Sequence, residues 1–573
     1  LAEYHPPISL QSSSPSMSLR QFLRTSNPVV QSASCIALSE GHDMSRCLPR
    51  FSRVIPPFLN ASLRSMHAVA TPHDAMSSQR SRASFSTMTR EMLMGVPFGT
   101  GIRAVAVAAI TSGSLAAAGP TRLDLSGLGI SRLPDEIGTL STLEFLNLGK
   151  NPLSTLPATF AGLTSLKILF FLGCEFTKVP EVLGSMKSLY MLSFKANKVE
   201  EVPAASIPYR TLGWLILSDN NIACLPDTVG KCENMRKLLL AGNRLTNAGL
   251  PHNMGDMTKL ELIRLADNQL TEVPAWITSH PTLAWVALAA NPATEVWSED
   301  ANRRARGDDS SRTDDSSSST PVDVPVVEWS CLGVDDNAPP LGSGASGAVY
   351  AATDTRGVRT AVKVYNLGDK TSDGRPQDEM AASVLASRTG CVSIVRTTGR
   401  FVRDADSSEG LVMEYLDPEQ WRSLGGPPSF DTVTRDVYLA GVTYRTTEVN
   451  AIARGLAAAG AALHGTGAIH GDMYAHNVLF RSGDAGAVPA AKLGDFGAAF
   501  FYPPGSEVGA EFERTEVRAW GIATLEALDR WDGVGDTDAV TELRSLADVC
   551  IGERSGRPSF REIVARVGDP EGV

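Results

Sequence analysis

Residues 143–153 read LEFLNLGKNPL, which fits the pattern L-x-x-L-x-L-x-x-N-x-L. The pattern returns every 23 residues, apart from one interval of 25 residues. These later copies start at Leu166, Leu189, Leu212, Met235, Leu260 and Leu283, and an earlier one starts at Pro120. A period of this length indicates a solenoid, because one copy cannot bury its own apolar side, whereas stacked copies share a core.

An asparagine occupies the N position of the pattern in six of the eight copies, where it can hydrogen-bond the backbone of adjacent coils. These residues are Asn151, Asn197, Asn220, Asn243, Asn268 and Asn291. Most copies also contain an apolar residue followed by proline. On these residues the repeats resemble the short, LP-containing type of leucine-rich repeat. The resemblance implies an α/β solenoid over residues 101–293, with Ala104–Ala118 as a helical cap and a concave face that binds a protein partner.

After residue 324 the sequence carries motifs suited to phosphate binding. Gly342, Gly344 and Gly347 form GxGxxG, in which the missing Cβ atoms allow the backbone to approach phosphates closely. Lys363 ends a short apolar run, where it can neutralise phosphate charge if an acidic residue such as Glu379 holds it. Each signal is weak when taken alone.

Two further motifs supply carboxylates and an amide. Residues 470–477 read HGDMYAHN and residues 492–497 read KLGDFG. Asp472 can orient a hydroxyl or accept its proton, and Asn477 and Asp495 can hold Mg²⁺. Four such motifs in this order predict phosphoryl transfer.

Together these motifs resemble those of eukaryotic-type protein kinases, over residues 325–573. The resemblance implies an α+β bilobal domain that uses ATP and Mg²⁺. It makes Asp472 the catalytic base, pairs Lys363 with Glu379, and assigns the metal to Asn477 and Asp495. It implies ATP contacts from Leu341, Gly342, Ser343, Gly344, Ala345, Ser346, Gly347, Val349, Ala361, Lys363, Met413, Glu414 and Leu416.

Three features depart from the kinase pattern. Gly471 replaces the arginine that usually precedes the catalytic aspartate, which argues against control by phosphorylation of the activation loop. Tyr474 stands where many serine/threonine kinases have a lysine near the γ-phosphate. His476 is a candidate to replace that lysine in part. Glu516 follows Asp495 by only 21 positions, so the activation segment is very short. Two alternatives to a protein kinase therefore stay open: a small-molecule kinase of the aminoglycoside or choline type, and a repeat-containing pseudokinase scaffold.

The order of the modules resembles that of leucine-rich-repeat protein kinases that lack a membrane span. Residues 425–430 and 434–438 resemble an insertion found in that group, and we assign no chemical role to this insertion. We expect a multidomain chain: a disordered extension over residues 1–100, a polar linker over 294–324, and two modules that fold independently. The Ser/Arg-rich extension is typical of a transit peptide, of disorder, or of upstream sequence wrongly joined to the chain.

Composition limits the remaining function classes. The net charge of −11 and the lack of a basic domain argue against nucleic-acid binding. No uninterrupted apolar run reaches 18 residues, so we predict no membrane span. Eight cysteines without a CxxC pair argue against zinc and disulfides and favour an intracellular, cytoplasmic protein, with organelle targeting possible through the extension. From the kinase resemblance we expect the γ-phosphate of ATP to be transferred to a serine or threonine hydroxyl of a protein.

Overall fold

The computed structural model describes residues 100–307, 324–335, 337–344, 346–366, 371, 374–403, 408–483, 487–568 and 570. The predicted extension before residue 100 and the predicted linker residues 308–323 lie outside the described residues. The chain divides into two compact units, one ending at Leu166 and the other beginning at Lys167.

The first unit holds the cap and the first two repeats. Its helices are α1 (Thr100–Thr111) and α2 (Ser114–Ala118), and its strands are β1 (Arg122–Asp124) and β2 (Phe145–Asn147). The strands pair in parallel with Leu123 opposite Leu146. Arg103 on α1 donates to the Gly129 carbonyl at 3.1 Å, and Ile110 on the same helix is buried. Helix α1 is therefore bound to the first coil.

The second unit opens with six parallel strands of three residues each. They are β3 (Ile168–Phe170), β4 (Met191–Ser193), β5 (Trp214–Ile216), β6 (Lys237–Leu239), β7 (Leu262–Arg264) and β8 (Trp285–Ala287). Each strand pairs with the next in register, and its central residue, such as Leu215 or Ile263, is fully buried. The predicted parallel-strand solenoid is confirmed.

The asparagines bind adjacent coils as expected. Asn243 Nδ2 donates to the carbonyls of Leu217 at 2.9 Å and Leu240 at 2.8 Å, and its Oδ1 accepts from the backbone N–H of Ile222 at 3.0 Å. Asn197 and Asn220 repeat this scheme. Each side chain satisfies polar backbone groups that the buried turn would otherwise leave unpaired.

The region after residue 324 begins with a five-stranded antiparallel sheet. Its strands are β9 (Gly342–Gly344), β10 (Gly347–Thr353), β11 (Arg359–Tyr365), β12 (Thr397–Arg403) and β13 (Ser408–Glu414), in the spatial order β12-β13-β11-β10-β9. Two further helices, α3 (Ala275–Ser279) and α4 (Pro292–Arg306), precede this sheet in the chain, and α5 (Pro376–Arg388) follows β11.

The second lobe is mainly helical. Its helices are α6 (Thr446–Gly465), α7 (Glu507–Leu528), α8 (Thr537–Ile551) and α9 (Phe560–Val567). Its short strands are β14 (Arg422–Ser423), β15 (Ala468–Ile469), β16 (Val478–Arg481), β17 (Ala490–Leu493) and β18 (Phe500–Phe501). A sheet lobe followed by a helical lobe confirms the predicted α+β bilobal class.

Helix α4 occupies the first part of the segment that we predicted as a polar linker. Its buried side chains are short: Thr294, Ser298, Ala301 and Ala305. They recur at helical spacing on one face, which packs against α5. Because the face lacks large apolar residues, the sequence there has the composition of a linker.

Independent folding of the two modules stays a prediction, but the repeats after residue 166 share a buried apolar cluster with the region after residue 324. Trp285 of the solenoid and Ala301 of α4 belong to the same buried apolar cluster as Ala381 of α5 and Trp520 of α7. A shared core couples the folding of these segments.

We expect Asn243→Ala to lower the free energy of unfolding by about 2 kcal/mol or more, since it leaves buried backbone groups unpaired. Asn234→Ala is the matched control, because the Asn234 side chain is exposed where it donates to the Arg210 carbonyl. Urea unfolding measures both. Equal effects of the two substitutions would contradict a structural role for the buried asparagines.

Candidate active site

Lys363 and Glu379 form a buried ion pair. Lys363 lies on β11 and Glu379 lies on α5, and the Lys363 ammonium donates to Glu379 Oε1. Tyr365 Oη donates to the same oxygen at 3.1 Å. Burial works to lower the pKa of Lys363, but the carboxylates of Glu379 and Asp495 outweigh burial and raise it. Lys363 is therefore a fixed cation.

This cation faces a cavity of about 300 Å³ beneath the glycine-rich hairpin. The cavity is lined by Gly342, Ser343, Gly344, Ser346, Gly347, Val349, Lys363, Thr371, Asp495 and Gly497. The positions where Cβ atoms would stand at Gly342 and Gly344 are open. Backbone amides, small side chains and one lysine suit a polyphosphate.

Leu341, Ala361, Met413, Glu414 and Leu416, which are also predicted ATP contacts, lie outside the lining of this cavity. Ala361 is opposite Met413 where β11 pairs with β13. Glu414 accepts from Lys492 Nζ at 2.7 Å. Leu341 is exposed, Leu416 is half-buried, and Ala345 lies outside the described residues.

Residues 470–477, which we call the catalytic loop after the role that the kinase resemblance implies, bring Asp472 and Asn477 together. Asn477 Nδ2 donates to the Asp472 carbonyl at 2.8 Å and to Asp472 Oδ2 at 3.0 Å. Asn477 Oδ1 is therefore the atom of this side chain that can hold a metal. Oxygen donors from Asn477 and Asp495 fit Mg²⁺, which also takes phosphate oxygens and waters. Across the described ranges no three or more His, Cys, Asp or Glu side chains group as a metal site.

A buried glutamate on α7 supports this loop. The Glu516 carboxylate accepts from the backbone N–H of Gly471 at 2.8 Å and of His470 at 3.2 Å. His464 Nε2 lies 2.9 Å from the same carboxylate. Burial raises the pKa of Glu516, but these hydrogen bonds and the histidines lower it overall, so the carboxylate stays ionised.

An arginine from the solenoid also enters the site. Arg264, at the end of β7, forms an ion pair through Nη2 with Asp472 Oδ1, and its Nη1 donates to the Gly471 carbonyl at 2.9 Å. Burial works to raise the pKa of Asp472, but Arg264, with His476 and His470, outweighs burial and lowers it. Nothing in our sequence analysis predicted this residue.

Trp285, on β8, lies beside the same loop. Its Nε1 donates to the Met473 carbonyl at 3.1 Å. Its ring stacks on Tyr474 with a centroid distance of 4.0 Å and an interplanar angle of 7°. Tyr474, the second departure from the kinase pattern, is thus a packing partner of the solenoid.

The unassigned insertion is a second contact with the solenoid, and we call residues 425–442 the docking segment. The Phe430 ring lies 6.4 Å from the ring of Trp214, and Val433 is buried beside Trp214. The Arg435 guanidinium donates to the two Glu261 carboxylate oxygens at 2.9 and 3.1 Å. Apolar packing and a charged pair therefore hold this segment to the repeats.

The docking segment also reaches the catalytic loop. Asp436 accepts from the His476 backbone N–H at 2.9 Å, and its other oxygen lies 2.8 Å from His476 Nδ1. His476 Nε2 is 4.0 Å from Asp472 Oδ2. Burial works to lower the pKa of His476, but the hydrogen bond and charge of Asp436 raise it.

The glycine at position 471 follows from this packing. Gly471 has φ +72°, and a Cβ there would lie 2.5 Å from the Val286 carbonyl of β8 and 2.7 Å from the Ala498 carbonyl. The arginine that kinases usually have at this position therefore does not fit against the solenoid.

A weak sequence signal for these contacts exists in the last repeats. Four strand residues point away from the solenoid core, and we call them the strand-face row: Trp214, Lys237, Arg264 and Trp285. Arg264 lies two residues further along its strand than the other three, opposite Leu239 and Ala287. All four are buried. Aromatic and basic residues at positions that the repeat leaves open to solvent indicate a covering surface, but not its identity.

Comparisons with known proteins agree with both regions. Residues 122–202 match a leucine-rich repeat region, and residues 336–518 match a protein kinase domain. The predicted resemblance to repeats joined to a kinase is therefore confirmed. No curated protein matches the chain. No helix within the described ranges has the length and apolar character needed to cross a membrane.

Two solved structures illustrate the similarity. The plant peptide hormone receptor RGFR1 in complex with RGF2 is 24% identical, with coverage of 30% of this chain and 28% of that chain and a TM-score of 0.26. The Leptospira interrogans LRR protein LIC12759 is 27% identical, with coverage of 30% and 55% and a TM-score of 0.22. The chain thus spans less than two thirds of either protein.

We expect the stability difference between the wild type and His476→Gln to depend on pH. Because Asp436 raises the pKa of His476, the pair stabilises the fold fully below the ordinary value of 6.5, and this stabilisation is lost as the pH rises through the folded-state pKa. Urea unfolding at several pH values measures the difference. The exposed His252→Gln is the control, and a constant difference for His476→Gln would contradict the ion pair.

Proposed function

We propose that this chain, which contains a leucine-rich-repeat region and a protein kinase domain, transfers the γ-phosphate of ATP to a serine or threonine hydroxyl of a protein. The observation that carries this proposal is the Lys363–Glu379 ion pair beside the glycine-lined cavity. The buried Lys363 ammonium can neutralise the charge of bound phosphates. Its ion pair with Glu379 is the arrangement that active protein kinases need in the first lobe.

The residues divide the chemistry between binding and proton handling. Lys363 binds the nonreacting phosphates, and Asn477 and Asp495 would hold Mg²⁺, which neutralises charge on the phosphate oxygens. Asp472 orients the acceptor hydroxyl and takes its proton as the new oxygen–phosphorus bond forms and the bond to ADP breaks. Positioning and charge neutralisation supply most of the rate enhancement in this reaction class.

One observation favours a second candidate, the pseudokinase scaffold. Both carboxylate oxygens of Asp472 are engaged, one by Arg264 and the other by Asn477. A permanent ion pair of this kind would place a guanidinium where a hydroxyl has to approach Oδ1, and it would make the carboxylate a weaker base. Nothing in the described residues favours a small-molecule acceptor over a protein.

The repeats are proposed to bind a protein partner, as their family resemblance implies. The location of the expected binding face needs correction, because the strand-face row from Trp214 to Trp285 is buried in this structure by the catalytic domain. We also propose an intracellular, cytoplasmic location, because eight cysteines without a CxxC pair fit a reducing compartment.

Removing the Lys363 ammonium, which we propose binds the phosphates of ATP, should abolish activity while the fold is kept. We expect Lys363→Met to reduce ATP-dependent phosphorylation of casein, or of the chain itself, by about a hundredfold or more. Lys187→Met, at an exposed solenoid lysine, is the matched control. Transfer is measured with radiolabelled ATP, and circular dichroism checks folding. Unchanged transfer by a folded Lys363→Met protein would contradict the proposal, and no transfer by the wild type or any of the variants below would favour the scaffold.

A further inference from the structure

Building on the proposed function, we propose that the solenoid autoinhibits the kinase domain. In this docked state Arg264 pairs with the carboxylate that an acceptor hydroxyl needs, and Trp285 of the strand-face row packs on the catalytic loop. A protein that competes for the strand-face row would release the site.

First, Arg264 restricts the access of a hydroxyl to Asp472. The Arg264 guanidinium contacts Oδ1, and Asn477 Nδ2 donates to Oδ2 at 3.0 Å. An acceptor hydroxyl must reach one of these oxygens to be oriented or deprotonated. A paired guanidinium also stabilises the ionised carboxylate and so makes it a weaker base.

The second step concerns how firmly Arg264 is held. Its side chain is only 5% exposed, and its other terminal nitrogen donates to the Gly471 carbonyl at 2.9 Å. Solvent therefore screens this ion pair little, unlike a pair on the surface. The guanidinium is fixed at two points on the loop that it blocks.

The third step concerns the space in front of the loop. The Trp285 ring lies flat on Tyr474 at 4.0 Å, and its Nε1 binds the Met473 carbonyl. The docking segment covers the neighbouring strands through Phe430 and Arg435. A protein substrate meets these side chains before it reaches Asp472.

The nucleotide site, in contrast, is supported by the contacts between the solenoid end and the first lobe. Helix α4 continues from the solenoid and binds α5, where the Ser298 hydroxyl donates to Asp378 and the Arg375 guanidinium pairs with Glu295 at 3.0 Å. Helix α5 carries Glu379, which holds Lys363. The inhibited state is therefore one that can bind ATP but not a protein acceptor.

The chemistry of the strand-face row defines the competing partner. Lys237 and Arg264 are basic, and Trp214 and Trp285 are aromatic. In the docked state Arg264 contacts the Asp472 carboxylate, and Trp214 and Trp285 contact apolar or aromatic side chains of the catalytic domain. The Lys237 ammonium lies over the Trp214 ring. The activating partner is accordingly a protein segment that presents acidic and aromatic side chains together.

The test compares phosphorylation of casein by the full chain and by variants. Arg264→Ala removes the cation that pairs with Asp472. Phe430→Ala weakens the contact between the docking segment and the solenoid, and Phe430 is not one of the proposed catalytic residues. We expect both to raise kcat/KM for casein by about tenfold or more while ATP affinity stays unchanged. Arg244→Ala, at an exposed solenoid arginine, should leave both values unchanged.

Amide hydrogen exchange provides the second readout. We expect residues 472–477 and 430–442 to exchange faster in Arg264→Ala and Phe430→Ala than in the wild type. A folded, ATP-binding Arg264→Ala protein with lower activity would make Arg264 a positioning residue and overturn autoinhibition. Equal transfer by the wild type and both variants would overturn this inference alone, whereas no transfer by any of them would overturn the proposed function with it.

Discussion

The ion pair between Arg264 and Asp472 is the contact on which the remaining structure of the site depends. It lies where the seventh repeat meets the catalytic loop, and both side chains are largely removed from solvent. A carboxylate buried in this way is costly unless a cation pairs with it and its remaining oxygen is hydrogen-bonded. Asn477 supplies that second bond, and Gly471 gives the loop the close backbone approach to β8 that brings the two charges together.

Sequence reasoning succeeded where structure follows from a local or periodic pattern. The 23-residue period predicts one strand per repeat, because each apolar side must be buried by the next copy. The asparagines of six of the eight coils could be identified for the same reason, as the hydrogen bonds of Asn243 show. The kinase motifs likewise indicated that Lys363 would meet Glu379, because those motifs have a fixed order along the chain.

Sequence reasoning failed where the decisive contacts join distant residues without a period. Arg264 and Asp472 are 208 residues apart, and no repeat relates them. Helix α4 was assigned to a linker because its buried face consists of Thr294, Ser298 and two alanines rather than large apolar residues. The glycine before Asp472 was a visible anomaly, yet its cause, the carbonyl of Val286, belongs to another part of the fold.

The most direct measurement of the central claim is a charge exchange between Glu261 and Arg435, which join the solenoid to the docking segment. Arg236 also pairs with Glu261, so every protein compared should carry Arg236→Gln. If the docked state is the inactive state, Glu261→Arg and Arg435→Glu each raise casein phosphorylation, and the double exchange restores repression. Activity that is unchanged in the single variants, or additive in the double variant, would contradict the account.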